Sequence, residues 1–467
     1  MILIPIMMLV LLAAVVGEYI IPERHSRALG AIASGIVLLL SLYLILAFNS
    51  MTAAQTTFSV SYISSFGIDL SFVLSNISVI LVLLASIVSF AAVIGGNPGG
   101  ERRRASNALI MLFELAAIGF FTSGNLFILF IFWDVGVVSA FFMINYLGSG
   151  GARSSAKNYL IYSIFASALL LFGIMMIYFY TPVHSFNLST IEASGASIPI
   201  WVQETIFALL LIAFFVKMPV FPLHSWMSDA YSDASTQGSM VLSGILSKFG
   251  AYGVFILFLM LPISHTYAKY ILIIAIVSAL YAAFNAMVQS DLKRMAAYTS
   301  MIESSLILVG IAAYNSFGSE GAVYGMLAYG LAASLMFLSV GSIEFTFGSR
   351  EIAAIKGAVK SASASVYSFL IALFGSTGVP ITAGFIADLF IFIGSYQSYG
   401  FVGLIPIASL VMMGGYLYYA VDRSFLSTFK HSHPVRIEYW HWDMGYAVLV
   451  AAIIVFGILP SILIGLR

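Results

Sequence analysis

Nearly every segment of this chain between two polar connections is an apolar run about long enough to cross a lipid bilayer. A helical span needs about 20 predominantly apolar residues. Of the 467 residues, 61% are hydrophobic and 8% are charged, whereas a soluble domain carries about 25% charged residues. The composition therefore predicts an all-α, polytopic membrane protein. We predict fourteen spans, at residues 2–17, 28–48, 69–95, 106–122, 125–147, 158–180, 203–220, 240–262, 268–289, 296–314, 320–346, 362–395, 400–422 and 443–465.

The connections between these spans are short. The segment 49–68 is polar and rich in Ser and Thr, so we expect a surface loop there. The first apolar run lacks a basic n-region and a small-residue cleavage site, so we expect a retained helix. The sequence has no cysteine, which excludes disulfides, thiolate chemistry and cysteine-ligated iron–sulfur clusters in this chain. Zero net charge without a basic face gives no indication of nucleic-acid binding.

The basic residues predict an orientation in the membrane. Fifteen of the nineteen Lys and Arg residues lie in connections that lead from an odd-numbered to an even-numbered span. The positive-inside rule puts these connections in the cytoplasm and both termini outside, in a plasma or inner membrane. The fifteen are Arg24, Arg27, Arg102, Arg103, Arg104, Arg153, Lys157, Lys293, Arg294, Arg350, Lys356, Lys360, Arg423, Lys430 and Arg436.

Two spans contain residues that interrupt a helix. The seventh runs into KMPVFP at 217–222, and the twelfth contains GSTGVP at 375–380. Proline removes a backbone donor, and inside a membrane such a break persists only where protein or water satisfies the freed groups. Paired broken helices are typical of ion paths in transporters, often within inverted repeats. A pair of simple packing kinks is the alternative.

Four ionisable residues lie deep within apolar runs. They are Asp134, Lys217, Lys248 and Asp388. A charged group at the bilayer centre costs roughly 2.5–3.5 kcal/mol on insertion scales, so such residues usually face partners, water or transported ions. Acids and bases embedded together therefore predict a path for charge through the membrane.

Five motifs occur in order between roughly residue 105 and 400. They are FWD (132–134), VKMPVFPLHSWMSDAYSDAS (216–235), SKFGAYG (247–253), SDLKRMAAYTS (290–300) and STGVPITAGFIAD (376–388). Together they resemble the antiporter-like membrane subunits of respiratory complex I (NADH:quinone oxidoreductase), Mrp antiporters and group 4 hydrogenases. The resemblance implies two inverted-repeat five-helix bundles with broken helices 7 and 12. It divides the chain into three N-terminal spans (1–105), a first repeat (106–262), a second repeat (263–422) and a C-terminal loop with the last span (423–467).

The subtype that the chain most resembles is the M-type (chain 4) subunit. The twelfth span carries a carboxylate, Asp388, and Ala333 stands where L-type chains have lysine. The sequence also departs from the family. Aspartate replaces glutamate at 134 and 388, Tyr329 and Glu303 stand at or near positions where the family usually has histidine, and Ser75 occupies the place of a third-span aspartate.

The resemblance implies roles for the buried groups. Asp134 and Lys217 would form a gating pair, Lys248 would be the central proton carrier and Asp388 the outlet. Possible relay groups are Glu303, Tyr329, His224 and Glu114. The alternatives are a static ion pair at 134 and 217, a hydrogen bond that braces the break at Asp388, a carbonyl cap at His224, and pairing of Glu114 with a lysine or a neighbouring subunit.

We therefore expect a non-redox subunit that translocates protons within a complex I-like, redox-driven oxidoreductase of a respiratory chain. This chain would hold no cofactor or metal, and partner subunits would hold iron–sulfur clusters and a site for quinone or another acceptor. We expect other membrane-arm subunits, lipid, and protons or sodium as partners. Three alternatives remain: a subunit of a multi-subunit cation/proton antiporter, the membrane subunit of a group 4 hydrogenase or of a ferredoxin- or deazaflavin-linked dehydrogenase, and a spacer that has lost pumping.

Overall fold

The computed structural model describes residues 2–63, 67–96, 102–360, 362–427 and 440–466, and most of them are helical. We number the longer helices α1 to α15. They are α1 Leu3–Ile20, α2 Ser26–Ala47, α3 Asn76–Ile94, α4 Arg103–Thr122, α5 Leu126–Asn145, α6 Ala152–Tyr180, α7 Ile200–Lys217, α8 Thr236–Met260, α9 Ser264–Met287, α10 Leu292–Ala313, α11 Ser316–Phe347, α12 Ser363–Ser376, α13 Ala383–Tyr399, α14 Ile407–Ala420 and α15 Trp440–Ile458.

These helices confirm the predicted class of an all-α, multi-span membrane protein. In the described ranges, 13 helical segments are long and apolar enough to cross a bilayer. The predicted twelfth span is divided into α12 and α13, and the predicted thirteenth is α14. Helix α14 begins later than residue 400, because Gly400–Leu404 forms a tight turn before Pro406. Short helices also lie in the connections, at Ala53–Thr56, Leu188–Ser194 and Met227–Asp233.

A β-hairpin joins α2 to α3, so the predicted loop at 49–68 and the predicted helix start at 69 are wrong. Strands β1 (Thr57–Ile63) and β2 (Ile68–Val73) pair antiparallel. Both strands are rich in the β-branched and aromatic residues that favour a pleated, half-buried surface. Helix α3 begins only after Ser75, whose hydroxyl accepts a hydrogen bond from the backbone N–H of Ser78. Ser75 is therefore a helix cap at one end of the bundle.

The centre of the bundle is formed by α3, α8, α10 and α11. At least 94% of the apolar window of each of these helices is buried, whereas the values for α1 and α6 are 28% and 33%. The outer helices expose large apolar side chains such as Ile32, Leu39 and Leu46 of α2. Exposed apolar surface on this scale fits lipid or neighbouring membrane helices rather than water. Lys248 and Glu303, the ionisable residues in the middle of these helices, are consequently removed from both lipid and bulk solvent.

The predicted breaks in the seventh and twelfth spans are confirmed, and the two have the same backbone pattern. After α7, the N–H groups of Met218, Val220 and Leu223 donate to the carbonyls of Phe214, Phe215 and Val220. After α12, the same three bonds recur at one constant offset, from Thr377, Val379 and Thr382 to Leu373, Phe374 and Val379. The freed backbone groups are thus satisfied within each break, as membrane burial requires. This correspondence supports the predicted internal repeat, whose boundaries stay a prediction.

Close packing at the second break predicts a destabilising substitution. Gly384 is the second residue of α13, and a Cβ atom there would lie 1.8 Å from the carbonyl oxygen of Gly375 in α12. We expect Gly384→Ala to force the two helices apart and to cost about 1–3 kcal/mol of stability, because overpacking of a well-packed interior has this effect. Thermal unfolding of the purified, detergent-solubilised protein measures it as a lower midpoint.

Gly415→Ala is the matched control. Gly415 lies on α14 and a Cβ atom there meets no atom within 4 Å. Alanine is favoured over glycine in a helix by about 1 kcal/mol, so this variant should unfold at the same or a slightly higher temperature. Equal midpoints for the two variants would contradict the close approach of α12 and α13.

The odd-to-even connections meet at one end of the bundle. The ends of α3 and α11 and the starts of α8, α10 and α15 surround a common cavity there. Ion pairs tie the same end together, with Arg294 bound to Asp229 at 2.8 Å and Lys293 to Glu344 at 2.9 Å. We call this end the basic end. Lys430 and Arg436 lie outside the described residues.

Candidate proton-transfer site

Lys217 is the last residue of α7 and is completely buried. Its Nζ donates hydrogen bonds to the hydroxyls of Tyr159, at 3.1 Å, and Ser163, at 2.8 Å, both on α6. The same atom lies 5.4 Å from the centre of the Trp133 ring. A lysine held only by hydroxyls and aromatic rings keeps its amine desolvated without a fixed counter-charge.

Asp134 on α5, the predicted partner of Lys217, contacts the same face of α6 one helical turn further along. Its Oδ1 accepts a 2.6 Å hydrogen bond from Ser167, and Ser167 in turn accepts one from Trp133 Nε1 at 3.0 Å. Both residues are in the described part of the chain, yet no ion pair joins Asp134 to Lys217. The two are within electrostatic range. Ser163, which binds Lys217, and Ser167, which binds Asp134, lie one helical turn apart on α6.

Sequence reasoning missed the α6 residues that hold this pair. Tyr159, Ser163 and Ser167 follow one another at intervals of four within an otherwise apolar span. That spacing puts three hydroxyls on one face of a helix. A polar stripe at helical spacing inside a membrane span was the signal that could have found them.

The hydroxyl of Ser163 gives a second testable expectation. Ser163→Ala removes one of the two hydrogen bonds to Lys217 and interrupts the hydroxyl route to Asp134. A hydrogen bond to a charged group contributes about 1.5–3 kcal/mol, so we expect the rate of charge transfer across the membrane to fall by roughly tenfold or more. The measurement is proton uptake into vesicles that contain the purified complex.

Two further variants make this result interpretable. Ser163→Thr keeps a hydroxyl and should retain most of the rate. Ser139→Ala removes a buried hydroxyl on α5 that bonds only to the carbonyl of Val135, within its own helix, and should leave transfer unchanged. A normal rate in Ser163→Ala would show that the route does not use this hydroxyl.

Lys248 lies at the middle of the bundle and is 1% exposed. It follows a wide helical turn in α8, Leu242–Leu246, of the kind that often marks functional sites because it disturbs the regular backbone ladder. Its Nζ donates to the carbonyl of Ser243 at 3.1 Å and to the hydroxyl of Ser247 at 3.2 Å. Among the residues that the structure describes, the ammonium group therefore has hydrogen-bond partners from its own helix and no charged partner within ion-pair distance.

Glu303 on α10 is the acid within electrostatic range of Lys248. It is fully buried, and its Oε1 accepts a 2.6 Å hydrogen bond from Ser376, the last residue of α12. Its Oε2 has no hydrogen-bond partner in the described structure. Ser376 thus ends the second broken helix as Lys217 ends the first, and it binds Glu303.

Asp388 lies on α13 just beyond the second break. Its Oδ1 accepts a short hydrogen bond from the hydroxyl of Tyr329 on α11, and Glu303 is within electrostatic range of Tyr329. Its Oδ2 has no hydrogen-bond partner among the described residues, and Asp388 lines a groove of about 680 Å³ between α13 and α14. A Cβ atom at Gly378, whose φ is +66°, would lie 2.1 Å from Oδ2. Glycine at 378 therefore makes room for the carboxylate.

The other two predicted relay residues, His224 and Glu114, make no contact with Lys248, Glu303 or Asp388 among the hydrogen bonds and ion pairs of the described residues. His224 follows the first break and packs against Tyr281, with ring centres 4.8 Å apart, while its Nδ1 has no hydrogen-bond partner in the described structure. Glu114 on α4 is fully buried, and neither carboxylate oxygen accepts a hydrogen bond from a described residue. Within the described residues, Glu114 forms no ion pair with a lysine.

The ionisable groups, all buried except the half-buried Asp134, form two segments with aromatic rings between them. One contains Asp134 and Lys217, and the other contains Lys248, Glu303 and Asp388. Beside Lys248, the ring of Phe249 stacks on Phe120 at 4.3 Å and lies 6.5 Å from Trp133, which contacts Lys217. In each segment the amine and the carboxyl groups bind hydroxyls, which can both donate and accept hydrogen bonds.

The sequence profile of the family described as "NADH:quinone oxidoreductase/Mrp antiporter, TM" matches residues 123–414. The chain is 30% identical to NADH-quinone oxidoreductase subunit M of Rickettsia felis, over 92% of this chain and 88% of that protein. It is also 30% identical to F(420)H(2) dehydrogenase subunit M of Methanosarcina mazei, over 97% of this chain and 93% of that protein.

The fold is likewise similar to a solved structure. A chain of respiratory complex I from Thermus thermophilus with bound NADH superposes with a TM-score of 0.89 at 21% identity, covering 97% of this chain and 96% of that one. The chain therefore belongs to the NADH:quinone oxidoreductase/Mrp antiporter family of membrane subunits. Its predicted resemblance to M-type subunits is confirmed by the relatives that carry that designation.

Proposed function

We propose that this chain is the proton-translocating, M-type membrane-arm subunit of a complex I-like pump driven by a redox reaction. One observation carries the proposal: Lys248 and Glu303 lie in the most enclosed part of the bundle, and Asp388, also buried, lies beside them on α13. The free energy of burying a charged group there is too high for the group to serve only to fill space. Amine and carboxyl groups that are spared direct ion pairs are suited to exchange protons.

The electron-transfer chemistry of the pump belongs to partner subunits. The sequence has no cysteine to hold an iron–sulfur cluster, and the described residues contain no cluster of three or more potential metal ligands. We expect partner subunits to supply the iron–sulfur clusters and the acceptor site. NADH is the first candidate donor, and a reduced deazaflavin is the second because a relative at equal identity is an F(420)H(2) dehydrogenase subunit.

The geometry supports a two-stage transfer. Lys217, bound to Tyr159 and Ser163, has an amine that is separate from Asp134. A shift that brings Asp134 to Lys217 favours the charged amine, and a shift that parts them favours release of its proton. Moving one charge against 100 mV requires about 2.3 kcal/mol, and an ion pair at 4 Å near a protein surface is worth about 4 kcal/mol. Making and breaking one pair is therefore sufficient to drive the proton onward.

The proposal includes an orientation and a location. The basic end would face the cytoplasm and both termini would face the outside of a plasma or inner membrane, because the basic connections meet at one end of the bundle. Protons would pass from the basic end, through Lys248, to Asp388. The flanking subunits would be other membrane-arm subunits of the same complex.

Purification in mild detergent tests this function. The tagged chain should co-purify with iron–sulfur subunits and other membrane-arm subunits, and the reconstituted complex should take up protons when NADH or a reduced deazaflavin is supplied with a quinone. Co-purification with antiporter subunits alone, and ion exchange without a redox substrate, would support the cation/proton antiporter instead. Substitution of protons by sodium would appear as uptake that requires sodium and persists with a protonophore.

A further inference from the structure

A cavity of about 350 Å³ opens at the basic end between α3, α8, α10 and α11. Its lining includes polar groups from three of these helices: Ser235, Thr236, Gln237, Lys293 and Glu344. A water molecule occupies about 30 Å³ in the liquid, so the cavity can hold on the order of ten waters. This cavity lies apart from the Asp134–Lys217 segment, which is built on α5, α6 and α7.

An ion pair lies within the cavity lining. Lys293 Nζ is 2.9 Å from Glu344 Oε2, and the lysine side chain is 3% exposed while that of the glutamate is 32% exposed. Lys293 also donates to the carbonyl of Ala234 at 3.4 Å. Glu344 is thus the solvent-exposed member of the ion pair, and Lys293 is the buried one. The other charged group at Glu344 is Arg350, 3.9 Å from Oε1, which also binds Asp233 and Asp291.

A row of serines leads from the cavity to Lys248. Ser235 lines the cavity, and Ser239, Ser243 and Ser247 follow at intervals of four along α8. Ser247 contacts Lys248 Nζ at 3.2 Å, and Ser243 contacts Ser300 of α10 at 2.6 Å. A hydroxyl both donates and accepts hydrogen bonds, so it can pass a proton between neighbours. Residues four apart on a helix are about 5–6 Å apart, so single waters are needed between them.

We propose that this cavity is the proton uptake site for Lys248 and that the Lys293–Glu344 pair is its gate. The proposal rests on the function proposed above and adds an access route that does not pass through Lys217. A proton from water binds the Glu344 carboxylate, which breaks the ion pair and frees the Lys293 side chain. The proton then leaves Glu344 through cavity water and the α8 hydroxyls to the neutral amine of Lys248. The carboxylate regains its charge and binds Lys293 again. Each cycle therefore takes up one proton from water and delivers it to Lys248.

Glu344→Gln in the intact, reconstituted complex tests the gate. Glutamine keeps the shape and a hydrogen bond to Lys293 but cannot take up a proton. A positioned acid–base group contributes about 10²–10⁴ in rate, so we expect redox-driven proton uptake at least about tenfold slower than in the unmodified complex. Glu351→Gln, an exposed residue in the connection after α11, should have no effect.

Chemical rescue separates a proton donor from a structural brace. Formate fits a cavity of this size and, like the glutamate carboxylate, can bind a proton from water and release it, so it should restore much of the uptake of Glu344→Gln. Glu344→Asp should be less impaired than Glu344→Gln. Lys248→Met should be slow with or without formate. Slow uptake in Glu344→Gln that formate does not restore, or normal uptake without it, would overturn the gate. Normal uptake in Lys248→Met as well would overturn the proposed function itself.

Discussion

Lys248→Met is expected to reduce redox-driven proton uptake by the reconstituted complex to the background of empty vesicles. Methionine has a similar unbranched shape, so the fit of the side chain in the interior of α8 is largely kept. It removes the amine that binds Ser247 and lies within electrostatic range of Glu303. Without this amine, the proposed route has no group to carry a proton from Ser247 to Glu303. Loss of a positioned proton-transfer group costs about 10²–10⁴ in rate, which leaves nothing measurable above passive leak.

Two variants identify the cause of that loss. Lys248→Arg keeps a positive charge next to Glu303, but guanidinium stays protonated in proteins and cannot release a proton, so uptake should remain at background. Lys269→Met removes an exposed lysine at the opposite end of the bundle and should pump normally. Pumping by Lys248→Arg would mean that the position supplies only a charge. Pumping by Lys248→Met would favour a spacer subunit.

The sequence was most informative where the bilayer restricts the structure. A membrane allows few ways to satisfy a backbone, so long apolar runs predicted the spans and Pro219, Pro222 and Pro380 predicted the breaks. The cost of a buried charge likewise predicted that Lys217, Lys248 and Asp388 are enclosed. Each of these predictions depends on one strong energetic term that acts on the sequence locally.

The contacts between helices could not be predicted in the same way. The rotation of a helix in a bundle is set by packing against its neighbours, not by its hydropathy. The sequence therefore suggested Asp134 as the direct partner of Lys217, whereas the structure has Tyr159 and Ser163 of α6 as its hydrogen-bond partners. The pairing of Glu344 with Lys293 could not be predicted for the same reason, because the two residues are distant in sequence and belong to different helices.

The β-hairpin was missed because two signals overlapped. Strand β2, Ile68–Val73, is continuous in the sequence with the apolar run of α3, and the whole run was interpreted as one span. The capping position of Ser75 marks the boundary between them. The alternation of hydroxyl and apolar residues in β1, Thr57–Ile63, was masked by its high content of Ser and Thr.

The departures from the family pattern compensate for one another around Asp388. Aspartate is one methylene shorter than the glutamate that the family has at this position, and Tyr329 extends further than the usual histidine. In the structure the tyrosine hydroxyl reaches the shorter carboxylate directly. A tyrosine hydroxyl donates a hydrogen bond to the charged carboxylate and can accept one from the protonated form, so it serves both states of a proton outlet.

Asp388→Asn is the second substitution expected to abolish pumping. Asparagine has nearly the same shape and can still accept the hydrogen bond from Tyr329, so the break and the packing against Gly378 are preserved. It cannot carry a proton, so the proton held at Lys248 and Glu303 has no route to the far side. We expect redox-driven acidification on the release side to fall to background in reconstituted vesicles.

The comparison with neighbouring variants distinguishes an outlet from a brace. Tyr329→Phe leaves the carboxyl in place and should slow release by a smaller factor, because the lost hydrogen bond to a charged group is worth about 1.5–3 kcal/mol. Asp422→Asn makes the same chemical change at an exposed site on the basic end and should pump normally. If Asp388 only braced the broken helix, Asp388→Asn would pump like Asp422→Asn while Tyr329→Phe, which loses the hydrogen bond, would be the more damaged protein. The proposed outlet requires the reverse order, because ionisation and not the hydrogen bond carries the proton out.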